Sequence, residues 1–160
     1  MAPLRILAGR AAYRDQQDRV WLSDRFFLGG RRTYSADGLP SLPNPGLFQY
    51  ERFGHFQYWL PVIPDRDYAL TLYFEESWYG AHAGGTGGPG SRVFDVYCNG
   101  STLLKHFDIL AQNPNAFVVK TFHHVKPTAQ GKLEIFFTPV TNYPLVDALE
   151  VEQEPSPSAR

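Results

Sequence analysis

The sequence predicts an all-β fold, a jelly-roll-like sandwich of two antiparallel sheets, and three observations carry that expectation. Thirteen Pro and 14 Gly punctuate the chain so closely that no amphipathic helix of about twelve residues fits between breakers. Aromatic residues reach 15%, a composition that suits pleated, half-buried surfaces. Apolar residues recur at every second position in several short runs, the period of a strand with one face buried. At 160 residues and 43% hydrophobic, the chain can bury one sizeable core and matches one domain.

The strands follow in order. Leu4 to Ala8 opens the chain as a short apolar run. Ser23 to Gly54 then holds few periodic signals but many aromatics, and reads as a long irregular loop of the kind that carries function. Phe56 to Val62 is the next strand, and Pro61 to Asp67 bends the chain. In Tyr68 to Glu75, Leu70, Leu72 and Phe74 face one side while Thr71, Tyr73 and Glu75 face the other. Trp78 and Tyr79 lie just past that strand end, before the Gly-rich run Ala81 to Gly90. This run lacks the Lys-Ser/Thr ending of a phosphate-binding loop and reads as a flexible connection. Arg92 to Cys98 and Ser101 to Phe107 form a hairpin joined by Asn99-Gly100, since both residues tolerate the positive φ of a type I′ turn. Ala116 to His124, Lys132 to Thr138, after a Gln130-Gly131 turn, and Val146 to Glu152 complete eight strands. The Pro/Ser-rich ending, residues 153–160, reads as a tail or the start of a linker.

Composition excludes several function classes. Fifteen basic and 16 acidic residues leave a formal charge of -1, so nothing marks a nucleic-acid partner. No apolar run approaches the roughly 18 residues of a membrane span, and the first residues are too short an apolar stretch for a signal peptide. Cys98 is the single cysteine, which rules out an intrachain disulfide and a cysteine metal cluster; on the Phe94 and Val96 side of its strand it reads as a small buried side chain. His123 and His124, adjacent on a strand, point to opposite faces, and His55, His82 and His106 are scattered, so no metal or other cofactor is expected. No Gly-x-Ser-x-Gly elbow is present. Glu75, Glu76, Asp95 and Asp108 stand near strand ends where a glycosidase pair could be mounted, yet carboxylates so placed are more often surface charges or turn partners.

What remains is a set of aromatics in expected loops: Tyr34, Tyr50, Phe53, Trp78 and Tyr79. A pyranose ring has an apolar face of C–H groups ringed by hydroxyls, so it stacks on an aromatic plane while nearby polar groups take its edge. Core packing is the commoner fate of large aromatics, and spacing leaves both readings open.

Several separated motifs resemble the malectin domain family, from Arg5 to Glu152. RVWLSDRFFLGGRRTY, Arg19 to Tyr34, is similar to the family's opening Trp-x-x-Asp-x-aromatic element with its Gly-Gly and following Tyr. LFQYERFGHFQYWLPV, Leu47 to Val62, resembles a Tyr-Gln-x-Glu-Arg-aromatic segment leading into a strand. LTLYFEESWY, then RVFDVYCNG with Phe107 to Ile109, then YPLVDALEV, Tyr143 to Val151, follow in the family's order. The opening motif looks closer to bacterial and plant forms than to the animal lectin of the family.

The resemblance implies a domain over 5–152 that binds carbohydrate in a loop cleft at one end of the sandwich, without catalysis, cofactor or metal. The animal lectin's sugar-contacting positions fall on Tyr34, Phe53, Trp78, Tyr79 and Asn142. Phe53 stands there for Tyr, Trp78 and Tyr79 for Tyr and Phe, and Asn142 for Asp, which keeps the platforms but removes oxygen acceptors. Glu51 and Arg52, by contrast, read as a pair or as holders of the long loop, and Asp95, Asn99 and Asp108 as partners of turn backbone, all outside the site.

The functional expectation is therefore a non-catalytic carbohydrate-binding module for a glucose-type or related oligosaccharide or polysaccharide, covalently part of a longer extracytoplasmic protein. A protein- or peptide-interaction ectodomain module is the alternative. An intrinsic glycosidase is the third reading, and needs a carboxylate pair facing the cleft.

Overall fold

The alternating runs become two antiparallel sheets packed face to face. The structure, a computed structural model, describes residues 1–9, 11–34 and 44–156; the middle of the expected long loop and the end of the tail lie outside the described residues. Numbered along the chain, one sheet has the order β1 (Leu4–Leu7), β12 (Ala148–Gln153), β6 (Tyr68–Glu75) and β9 (Phe117–Val125). The other runs β11 (Leu145–Val146), β5 (Tyr50–Pro61), β10 (Lys132–Thr141), β7 (Val93–Cys98) and β8 (Ser101–Phe107), with β4 (Phe27–Tyr34) paired to β5. A ribbon of β2 (Tyr13–Arg14) and β3 (Val20–Trp21) is a third, small sheet.

Period two explains the core. Leu70, Leu72 and Phe74 of β6 are fully buried and meet Tyr58 and Leu60 of β5 and Ile135 and Phe137 of β10. Phe56 stacks on Phe137 with centroids 4.6 Å apart, and Phe74 lies 4.9 Å from Phe107. Each such side chain contributes about 1.5–3 kcal/mol by leaving water. A second cluster of Leu7, Trp21, Leu47, Phe48 and Ala148 covers part of the outer face of the smaller sheet, with Tyr73 and Phe117 against it. Cys98 is buried as expected, and burial pushes its thiol up to about 12.

Turn chemistry holds where it was specific. Asn99 and Gly100 have φ of 50° and 83°, as the two-residue hairpin requires. Asn99 also receives the Glu134 amide at 2.8 Å, Asp95 that of His106 at 2.7 Å, and Asp108 that of Ala111 at 3.1 Å. Asp108 thereby caps the one described α-turn, α1 (Ile109–Gln112).

Four expectations are corrected. The region 23–54 is not one irregular loop, because β4 and the start of β5 occupy much of it. β4 is an edge strand whose side chains are mostly exposed, so it carries no alternation to read. Opposite its Gly30 the register shifts, with Gly54 and His55 forming a bulge in β5, and a Cβ on Gly29 would sit 2.4 Å from the His55 carbonyl oxygen. Consequently Tyr34, Tyr50 and Phe53 are strand residues rather than loop residues. The last strand is broken at Asp147, between β11 and β12. Finally, His123 and His124 do not diverge: His124 has φ of 57°, the alternation fails there, and both imidazoles approach the Glu154 carboxylate, at 3.2 and 4.0 Å. Gln153 belongs to β12, and the Glu154 amide donates to the Asp67 carbonyl at 2.9 Å.

Candidate functional site

At one end of the sandwich, strand ends from both sheets wall a cleft of about 410 Å³. β4 brings Thr33 and Tyr34, β5 brings Glu51 and Phe53, and the segment after β6 brings Ser77, Trp78 and Tyr79. Arg92, Asn142 and Tyr143 close it. The five residues expected to contact sugar, Tyr34, Phe53, Trp78, Tyr79 and Asn142, are thus brought together in one cavity despite a separation of more than one hundred positions. Trp78 is 70% exposed and Tyr34 55%, so both rings present a face to solvent. Tyr50, the remaining aromatic of the expected set, packs behind Tyr34 with centroids 4.9 Å apart.

The aromatic loop is pinned by a carboxylate. Glu76 receives the backbone amides of Trp78 and Tyr79 at 3.0 and 3.2 Å. The same carboxylate takes Arg92 through Nε at 2.6 Å and Nη2 at 3.2 Å, while Arg92 Nη1 donates to the Tyr143 carbonyl. The Arg92 guanidinium also lies 5.2 Å from the Tyr79 ring centre, a cation–π distance. One ion pair therefore fixes the Trp78-Tyr79 loop, the Tyr79 ring and the Tyr143 turn together. The Gly-rich run folds back beneath them: the Gly85 amide donates to the Gly80 carbonyl at 3.2 Å, and a Cβ on Gly85 would meet the Trp78 carbonyl oxygen at 2.3 Å. Gly85 has no Cβ to block that approach, while the run from Ala81 to Gly90 is itself almost wholly exposed. Asn142, with φ of 57°, donates its amide to the Ser91 carbonyl at 2.7 Å and so also shapes the turn.

The floor of the cleft is acidic and buried. Glu51 is 3% exposed; one oxygen accepts from the Ser77 hydroxyl at 2.6 Å and the other, Oε2, is buried without a partner. Burial, aided by the nearby Glu76 charge and opposed by Ser77 and Arg92, pushes its carboxyl up to about 7. Beneath it Asp147 accepts the Glu75 amide at 2.7 Å. Burial first, then the charges of Glu51 and Glu75, holds Asp147 well above the carboxylate range. Of the carboxylates expected to be surface charges or turn partners, Glu75, Glu76 and Asp95 are buried, and Glu76 and Asp95 accept backbone amides as turn partners do. Glu51 and Arg52 do not pair. Arg52 points the other way, to Asp24, through Nε at 3.0 Å and Nη2 at 2.7 Å. Asp24 also accepts the Gly9 amide and the Tyr58 hydroxyl, each at 2.7 Å, which explains why the Trp-x-x-Asp and Glu-Arg motifs occur together.

Thr33, Glu51, Ser77, Arg92 and Tyr143 are cleft residues that sequence reasoning left out. For Glu51 a signal existed: it shares strand parity with Phe53, so a site at Phe53 implies Glu51 beside it. Among the described residues lining the cleft, Glu51 is the sole carboxylate, and no group of His, Cys, Asp and Glu among the described residues is arranged to hold a metal ion.

Fold and cleft together define a β-sandwich binding domain with an aromatic-lined site among its end loops. The family model of the malectin domain matches residues 3–149, and the chain belongs to that family. Among solved structures, the ANXUR2 extracellular domain from Arabidopsis thaliana superposes with a TM-score of 0.82 at 23% identity, and the ANX1 ectodomain from the same plant with 0.80 at 26%. Each comparison covers 96% of this chain and 42% of the plant one, so the chain spans less than half of those ectodomains. A β-glucuronidase of Bacteroides uniformis gives a TM-score of 0.77 at 13% identity over 96% of this chain and 18% of the enzyme, a likeness of fold. Comparison with curated proteins found no match.

Proposed function

We propose that this domain, residues 5–152, is a non-catalytic carbohydrate-binding module that takes a glucose-type or related oligosaccharide in the cleft of Tyr34, Phe53, Trp78, Tyr79 and Asn142. The observation that carries the reading is the 70% exposed Trp78 on a loop fixed by the Glu76–Arg92 pair. A ring held fixed beside polar groups forms a platform for the C–H face of a sugar. The Tyr34 hydroxyl, Thr33, Asn142 and Tyr143 surround that platform with groups suited to hydroxyl edges. Below the pH at which Glu51 ionises, its buried carboxyl is a neutral acid that can donate as well as accept.

Hydroxyls exchange water for protein with little net gain per bond, so dissociation constants of about 1 mM to 1 μM follow, roughly -4 to -8 kcal/mol. A glycosidase would need a second carboxylate across the bound sugar, and Glu76, engaged by Arg92 and two amides, is not offered to the cleft. The structural likeness to ectodomains supports an extracytoplasmic place in a longer protein, and keeps a second reading, recognition of a protein or peptide in the same cleft. Among the described residues no helix is long and apolar enough to cross a membrane. A glycan array probed with the wild-type domain and Trp78→Ala tests the proposal. Selective binding lost in a folded variant is expected; silence of the wild type across the array favours the protein-recognition reading.

A further inference from the structure

The cleft is one end of a longer feature. β5 is paired on both sides, by β4 and by β10 and β11, and its residues alternate cleanly: Phe56, Tyr58 and Leu60 are buried, whereas His55 and Trp59 are exposed. His55, Gln57 and Trp59 therefore share one face, and the bulge at Gly54 and His55 opposite Gly30 separates them from Phe53 and Glu51 of the cleft. Along that face three more hollows continue from the cleft, each sharing a wall with the last. Phe53 and Tyr143 pass from the cleft into a hollow of about 450 Å³ that includes His55. His55 passes into one of about 320 Å³ with Gln57 and Leu28, and Leu28 into one of about 300 Å³ with Phe27 and Trp59. At about 3.4 Å per residue, Phe53 to Trp59 covers about 20 Å.

The far end resembles the near one in chemistry. Trp59 is 44% exposed, and its indole N–H donates to Gln57 Oε1 at 2.6 Å, which holds the ring in one orientation. Leu28 beside it is 64% exposed. Between the two aromatic ends His55, Gln57 and Thr138 supply polar groups among the apolar Leu28, Phe56, Phe137 and Pro139.

We propose that this face is a second carbohydrate-contacting site, a track that seats an extended glycan several sugar residues long, with one ring in the cleft and a later ring on Trp59. The proposal rests on the cleft being a sugar site and adds the class of ligand: a linear chain rather than a mono- or disaccharide. Alternating platforms and polar groups match a glycan, which offers C–H faces and hydroxyl edges in turn.

The test is titration calorimetry with linear oligosaccharides of glucose, xylose and mannose, each in lengths from two to six units, against the wild type, Trp59→Ala and Trp59→Phe. The wild type should bind the longest member of its preferred series about tenfold more tightly than the shortest. Trp59→Ala should remove that gain without changing affinity for the shortest, and Trp59→Phe should restore part of it. Length-independent affinity, or a gain that survives in Trp59→Ala, overturns the track and leaves the cleft reading standing. Failure of every sugar to bind overturns both. A wild-type dimer in sedimentation that Trp59→Ala dissociates would assign the face to a second copy of the chain and also overturn the proposal.

Discussion

Replacing Glu51 by Gln should change how stability depends on pH, and the size of the change follows from the burial of that carboxyl. Moving a carboxyl from its ordinary 4.5 to about 7 corresponds to about 3 kcal/mol, at about 1.4 kcal/mol for each tenfold change in proton affinity. The sign follows from proton uptake. Between pH 4.5 and 7 the folded chain holds a proton at Glu51 that the unfolded chain has released, so folding loses stability as pH rises through that window. Below it both states are protonated and the cost is absent; above it the cost is complete. Gln keeps an oxygen to accept from Ser77 and has nothing to ionise. Urea unfolding should therefore find the two proteins within about 1 kcal/mol of each other at pH 4.5, with Glu51→Gln more stable by about 3 kcal/mol at pH 8. Asp15, Asp95 and Glu154 are shifted downward, so their contributions change at and below their ordinary values; Asp147 is held high by burial and in part by the Glu51 charge, so the difference between the two proteins reports Glu51 together with its effect on Asp147. A constant offset between the two curves from pH 4.5 to 8 would refute the buried neutral acid.

Other outcomes are as direct. Asp24→Ala leaves Arg52 and the Tyr58 hydroxyl without their shared acceptor, and should cost about 3–5 kcal/mol in urea unfolding; a loss below 1 kcal/mol would show that the motif pairing is dispensable. Trp78→Ala removes an exposed ring, so its unfolding free energy should stay within about 0.5 kcal/mol of wild type while sugar binding disappears. Cys98, buried with its thiol at about 12, should resist iodoacetamide at pH 8 in the native domain and react once urea unfolds it; rapid native alkylation would place it at an accessible surface.

Legibility in the sequence followed burial. The alternation of Leu70, Leu72 and Phe74 located β6 because one face meets a core, and Asn99-Gly100 located a hairpin because the turn restricts its residues. β4 stayed hidden because an exposed edge strand has no apolar period. Trp78 and Tyr79 stood out from their place beyond a strand end, Tyr34 and Phe53 as aromatics in an expected loop, whereas Asn142 came only from the malectin resemblance. The burial of Glu76 and Asp147 was illegible, since a carboxylate reads as surface until its neighbours are known, whereas strand parity with Phe53 pointed to Glu51. Arg92 and the Trp78 and Tyr79 amides, which make Glu76 a structural pin, come from segments that only the fold brings together.

The central claim is tested most directly by the indole N–H signals of the three tryptophans in nitrogen–proton correlation spectra during titration with the best-binding glycan from the array. Trp21, buried and bonded to Asp15 at 2.8 Å, serves as the internal reference. The Trp78 signal should shift in a saturable manner while that of Trp21 stays fixed. Saturable glycan binding with the Trp78 signal unmoved would contradict the claim and place the sugar elsewhere on the domain.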